Sequence, residues 1–285
     1  MNPDWTQSLL RHFSPLLDQY VAAIRADRGP RAADRLQTRL PNEIEALASE
    51  ALVWRLLRES GLNPVCEPVI AGDCRAEFVI ECPIDGEVIV EVATILAEPM
   101  HRRTGFDVSQ PCAFSYDNKK VSKVIGDKAD QLRNAGRPAV VFLASHSMAG
   151  GVMFDEIAAE EMLTGKQTLV LPLRLDLEGE IESGEILDST CLESSLYLRR
   201  GLDGSIVTFR REISAVVLVD FDARAGQMRA LIHPDPLFPI DPSCFSVMPV
   251  GRIKPWPIMD HVRVHWAGGA GRWPYPPNTV APRRT

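Results

Sequence analysis

No segment of this 285-residue chain approaches the roughly 18 consecutive apolar residues that a membrane-spanning helix needs, so no membrane partner is expected. Its Gly-rich pieces, Ala149-Gly150-Gly151 and Gly268-Gly269-Ala270-Gly271, match neither the phosphate-binding P-loop nor the dinucleotide fingerprint. The six cysteines (Cys66, Cys74, Cys82, Cys112, Cys191 and Cys244) include no CxxC pair, which removes the zinc-ribbon pattern. The start, Met1-Asn2-Pro3-Asp4-Trp5, lacks the charged-then-apolar layout of a secretion signal. A cytoplasmic location and free thiols are therefore expected. His261 and His265 have metal-ligand spacing only on a helix, and their alternation with Val262 and Val264 reads as a strand. Positive charge is also short. Against 38 Asp and Glu stand 31 Lys and Arg, a net charge of −7, so any nucleic-acid binding must use a local basic patch.

What is present is an ordinary globular composition. Apolar residues make up 45%, enough at this length to bury a sizeable core. Residues 1–60 read as helical. Leu9, Leu10, Phe13, Leu16, Leu17 and Tyr20 recur at helical spacing, and Asp27-Arg28-Gly29-Pro30 signals a turn. A second helix is expected from Asn42, as N-cap after Pro41, to Ser60, with Gly61 closing it. Strands follow at Val65–Ile70, Glu77–Cys82 and Glu87–Ile95, then irregular chain over 97–117, a helix over Asn118–Asn134 and a buried strand at Ala139–Ala144. Beyond 146, a helix at Asp155–Leu163 and strands at Gln167–Leu175, Ser205–Arg211 and Ile213–Asp220 are expected. From Leu237 a Pro- and aromatic-rich segment wraps the surface and ends in a loose Pro282–Thr285 tail. This order predicts an α/β protein in three parts: an N-terminal helical segment over 1–41, a compact core over 42–150, and a β-rich extension over 151–285 packed on that core.

Arg75–Thr94 is the most informative stretch. Ile84-Asp85-Gly86 suits a three-residue hairpin loop with Gly86 in the left-handed position. That register sets Pro83 against Glu87 and Glu77 against Ala93. It sorts Phe78, Ile80, Cys82, Val88, Val90 and Val92 onto one face. Glu77, Val79, Glu81, Glu87, Ile89, Glu91 and Ala93 take the other. Glu77 and Glu91 then lie close together at the end away from the turn. Two adjacent carboxylates repel unless a cation sits between them, and Mg²⁺ favours such oxygen ligands. The competing reading is a solvated Glu face, which requires both acids to be exposed.

Two helices bear on that choice. Lys128 falls inside the apolar stripe of Val121, Val124, Ile125 and Leu132, with Gln131 at its border. A Lys aimed inward either snorkels to solvent or meets an anion. Glu50 sits beside Leu47, Val53, Trp54 and Leu57, whereas Glu45 has Ala48 and Ser49 as helical neighbours and is expected to be exposed. Lys119, Lys120, Lys123 and Arg102-Arg103 would form a basic rim near the acids, or a solvated face.

Arg75-Ala76-Glu77-Phe78, Val90-Glu91-Val92-Ala93-Thr94 and Lys128-Ala129-Asp130-Gln131-Leu132 stand in the order of the "(R)PDF…(V/I)E(V/A)T" hairpin and "K..QL" helix. Over residues 42–145 the chain therefore resembles the PD-(D/E)XK nuclease superfamily, most closely bacterial restriction-endonuclease-like proteins. Ile213–Val217 and His233-Pro234 resemble that group's later segments more weakly. The resemblance implies a restriction-endonuclease-like core, a mixed central sheet flanked by helices. It implies Mg²⁺ or Mn²⁺ held by Glu77 and Glu91, with Glu50 supporting the metal site. Lys128 and Gln131 complete the catalytic set, and nucleic acid, DNA above RNA, is the partner. Three positions depart from the pattern: Glu77 for the usual Asp, Ala76 for Pro, and Ala93 for Lys. The function implied is phosphodiester hydrolysis. The alternative is a nuclease fold that has lost catalysis and serves as a binding or assembly module. Lys128 separates the two, and an enzyme requires its ammonium within about 4 Å, or one water, of an acid.

Overall fold

The computed structural model describes residues 3–71, 74–96, 119–146, 154–170, 174–175, 181–182, 187–221, 228–245, 247–254 and 263–268. The expectations for 97–117, Arg102-Arg103, Ala149–Gly151, His261 and the 282–285 tail lie outside these residues, as do the side chains of Lys119 and Lys120.

Helix α1 spans Pro3–Arg28 and α2 spans Pro30–Glu59. Gly29, at φ 81°, makes the sharp corner between them, a backbone region open to glycine at little cost. The expected second helix starts close to Asn42: the span Pro30–Glu59 is two helices joined across a kink at Glu43, whose backbone (φ −126°, ψ 27°) is not helical, two residues after Pro41. Then come β1 (Val65–Cys66), β2 (Val69–Ala71), β3 (Cys74–Arg75), β4 (Phe78–Cys82), β5 (Gly86–Ile95), α3 (Lys119–Leu132) and β6 (Ala139–Ser145). Helix α4 (Glu156–Thr164) is capped by Asp155, whose carboxylate accepts from Ala158 N at 2.7 Å. Next are β7 (Lys166–Val170), β8 (Arg174–Leu175), β9 (Ile181–Glu182), β10 (Leu187–Cys191), β11 (Leu198–Arg200) and β12 (Ile206–Thr208). The last strands are β13 (Ala215–Asp220), β14 (Met228–Ile232), β15 (Pro249–Lys254) and β16 (Arg263–Gly268), the last carrying His265 on a strand as its alternation suggests.

The chain is mixed α/β, organised on one eight-stranded sheet in the order β1-β4-β5-β6-β13-β14-β15-β16. At its centre β5, β6 and β13 run parallel, and antiparallel strands flank them. Because β13 pairs with β6 from Ala215↔Val140 to Asp220↔Ser145, the sheet continues across residue 150 into the C-terminal part. Both faces are covered. One packs Phe78, Val90, Val140, Phe142 and Val217 under α1 and α2. The other packs Ile89, Ala93, Val141, Leu143 and Leu218 under α3 and α4. Burial on both sides explains why β6 and β13 read as unbroken apolar runs. No helix among the described residues is long and apolar enough to cross a membrane.

The β4–β5 hairpin keeps the expected faces but not the expected register. Phe78 pairs with Val90 and Cys82 with Gly86, so the loop is Pro83-Ile84-Asp85. Gly86 (φ 69°) closes the turn. The slip is two residues, and an even slip leaves every side chain on its own face.

Candidate functional site

Continuing that ladder by one residue sets Glu77 across from Glu91 rather than from Ala93. Their face of the hairpin is not solvated. It lies under α3, where Val121, Ile125 and Leu132 pack against Ile89 and Ala93. The Glu91 side chain is 0% exposed, and Glu77 retains 21%. That burial removes the solvated-face reading.

Lys128 reaches both acids. Its ammonium donates to Glu77 Oε1 at 3.0 Å and to Glu91 Oε2 in a closer contact. The aliphatic stem lies in the α3 stripe, and the 17% exposed side chain ends on anions instead of snorkelling to water. Val92 N–H approaches Glu77 Oε2 at 3.4 Å, fixing that carboxylate against β5. Gln131 Nε2 donates to Arg75 O at 3.1 Å and approaches Glu91 Oε1 at 3.4 Å. Glu77, Glu91, Lys128 and Gln131 thus form one cluster.

Glu50 joins it electrostatically. Tyr20 Oη donates to Glu50 Oε2 at 3.2 Å. Burial, and then the Glu77 charge, push the Glu50 carboxyl up to about 7, while Arg39, Tyr20 and Lys128 pull the other way. Burial likewise raises Glu91, reinforced by its hydrogen bond and charge contact with Glu77 and opposed by Lys128. Burial alone would lower Lys128, yet the two carboxylates outweigh it and hold the pKa above its ordinary value. With both acids ionised, Glu77 and Glu91 face one ammonium, a local charge of −1, and Glu50 adds negative charge at longer range. A part-buried pair of carboxylates suits a hard divalent cation such as Mg²⁺ or Mn²⁺.

The Glu50 shift gives a stability signature. Its folded pKa lies above the ordinary 4.5, so the folded state holds this proton more tightly than the unfolded chain. Stability from this group is full below 4.5 and is lost as pH rises to about 7. Glu50→Gln keeps an acceptor for Tyr20 and removes the charge. Thermal melts in chelator should show the variant more stable than the parent at pH 8 and level with it at pH 4. A parent-like pH profile in the variant overturns this.

Two sequence expectations are corrected nearby. Glu45 is buried rather than exposed, with 1% of its surface accessible. Cys82 and Cys244 form a disulfide rather than free thiols, while Cys66 and Cys191 are free. The sequence reading also missed Tyr20 as a polar partner. Tyr20 fills a core position on the α1 stripe, and only the hydroxyl at its tip reaches Glu50.

A second polar pair, Ser49 and His146, does not make a nucleophile. Ser49 Oγ donates to Glu45 O at 2.9 Å, which leaves it an acceptor for His146 Nε2–H at 2.9 Å. Both residues are buried, and burial drives the His146 pKa down to about 4. His233 is a similar core histidine. It bonds Phe209 O at 2.9 Å and accepts from Asp235 N at 3.0 Å. On the rim, Lys123 is exposed beside an open groove of about 740 Å³ whose charges are mixed. Arg133 there is tied to Asp130, and Arg211 to Asp235.

Neither a family model, nor a curated protein, nor a solved structure matches this chain.

Proposed function

We propose that the chain is a metal-dependent phosphodiesterase with a restriction-endonuclease-like core of the PD-(D/E)XK type, acting on nucleic acid, DNA above RNA. The observation that carries this reading is the fully buried Glu91 carboxylate set beside Glu77 and bound by Lys128. A buried acid pair with a lysine at its side is costly to maintain for stability alone.

Glu77 and Glu91 would hold the cation, and Glu50, with its raised pKa, would complete the negative field. When bound, the ion supplies Lewis-acid stabilisation of a phosphoryl oxygen and a water of lowered pKa. Lys128 takes the role usually filled two residues after the second acid, where Ala93 stands. Its ammonium, released from one carboxylate, orients a water and offsets charge at the phosphate. Gln131 tethers α3 to β3 through Arg75 O and keeps Lys128 in reach.

One observation favours the second reading, a nuclease fold retained for binding or assembly. Lys128 already neutralises part of the acid pair, so the cluster is stable as an ion pair without metal. Incubation with single- and double-stranded DNA and RNA in Mg²⁺ or Mn²⁺ separates the two. The enzyme reading expects cleavage that chelator abolishes. Failure to cut any of the four substrates in either metal favours the binding module.

A further inference from the structure

A second cluster of ligating atoms lies at the opposite end of the β4–β5 hairpin. Cys82 ends β4, Asp85 is the last residue of the loop, and Cys244 lies in the 3₁₀ turn Pro242–Phe245. Their ligand atoms all fall within 4.8 Å of one another. Asp85 is six residues from Glu91, about 20 Å along the strand, so this cluster is separate from the acid pair.

The cluster is built around the Asp85 carboxylate. Oδ2 lies 3.6 Å from Cys82 Sγ and 3.4 Å from Cys244 Sγ, and it accepts from Asp241 N at 2.8 Å. The backbone donor fixes the carboxylate in place, as outer partners do around metal ligands. Disulfide sulfurs carry no proton, so in the oxidised form a carboxylate facing both of them gains nothing. Thiols would donate to it, and a cation would be shared with it. The Cα atoms of Cys82 and Cys244 are 7.0 Å apart, past the usual disulfide reach of about 6.8 Å. Once the S–S bond is reduced, side chains anchored at that Cα spacing can turn apart and take an ion between their sulfurs. An apolar cavity of about 300 Å³, lined in part by Leu57, Ile80, Val88 and Phe142, borders both cysteines and lowers the local dielectric.

We propose that Cys82, Asp85 and Cys244, once reduced, hold a thiophilic divalent cation of the Zn²⁺ class. Two sulfurs and one carboxylate are a soft-to-borderline donor set that selects Zn²⁺ over Mg²⁺, and water takes the fourth tetrahedral position. Reduction by a phosphine breaks the S–S bond to give two thiols while one water converts the phosphine to its oxide. Zn²⁺ binding then releases both thiol protons to solvent. The ion and the disulfide are alternative clamps on the same joint between the hairpin turn and the C-terminal segment. The inference stands whether or not the chain cuts nucleic acid.

The full chain is reduced with phosphine, freed of reductant without oxygen, and titrated with Zn²⁺ and separately with Co²⁺. One equivalent per chain is expected, with sulfur-to-cobalt charge-transfer absorption and a raised melting temperature. Cys82→Ser and Cys244→Ser should each weaken binding by about a hundredfold. Asp85→Asn, a turn substitution that spares the core, should weaken it by about tenfold and keep the charge-transfer band. The oxidised chain should not bind. The proposal is overturned if the reduced chain takes up no stoichiometric Zn²⁺, if Asp85→Asn binds like the parent, or if the oxidised chain binds equally well.

Discussion

Glu91→Gln should lower the rate of Mg²⁺-dependent phosphodiester cleavage by about a thousandfold while leaving the fold intact. The substitution keeps the shape and one oxygen but removes the charge from the more deeply buried of the two proposed cation ligands. Metal-ion catalysis contributes several kcal/mol of transition-state stabilisation, and about 4 kcal/mol corresponds to that factor. The fold survives because Gln is isosteric and the buried carboxyl is already driven toward its neutral form. Single-turnover cleavage at saturating Mg²⁺, with a parallel thermal melt, checks both halves. A rate within tenfold of the parent would falsify the assignment of Glu91 as a metal ligand. A variant with a collapsed melting temperature calls instead for Glu77→Gln. That side chain retains some solvent, and it should show the same loss of rate.

The parts of this site that were legible in the sequence share a physical reason. Period-two alternation on the hairpin and period-3.6 spacing on α3 fix which way a side chain points, and direction alone brings Glu77, Glu91 and Lys128 to one interface. What direction cannot supply is long-range pairing. The hairpin loop is displaced by one residue, which slips the pairing by two. Asp85 in that loop is held by Asp241 N–H, 156 residues away, and local turn preference carries no trace of that contact. The Cys82–Cys244 link spans 162 residues, and cysteine spacing does not encode it. The same holds for β13, which joins β6 after an intervening helix and carries the sheet past residue 150. Glu45 was misread for a different reason. Its neighbours Ala48 and Ser49 look like a surface face, yet small residues also mark where a helix approaches a sheet closely, and both are buried there. Pro41 was legible as a helix boundary, since its ring and missing donor act locally, and the backbone leaves helical geometry at Glu43.

Lys128→Met should destabilise the metal-free protein at pH 8 by about 3 kcal/mol, because it strips the shared cation from the largely buried Glu77–Glu91 pair and keeps the hydrophobic stem. For a chain of this size that is a fall of roughly 5 °C in melting temperature. The loss should depend on pH in a definite sense. Glu91 already binds its proton more tightly in the folded state than in the unfolded chain. Removing Lys128, the group that opposes that shift, raises the folded pKa further. Stability linked to a raised carboxyl pKa is full at low pH and falls as pH climbs toward the folded value, so the variant's deficit should be smallest at low pH and widen as pH approaches and passes the parent's folded value of about 9. Mg²⁺ or Mn²⁺ should then restore much of the lost stability at pH 8, since a divalent ion on Glu77 and Glu91 replaces the missing charge and stabilises by mass action. Melts across pH, with and without metal, test the whole chain of reasoning. If the deficit is the same at every pH and metal leaves it unchanged, Lys128 acts through packing alone, and the acid pair is not a cation site.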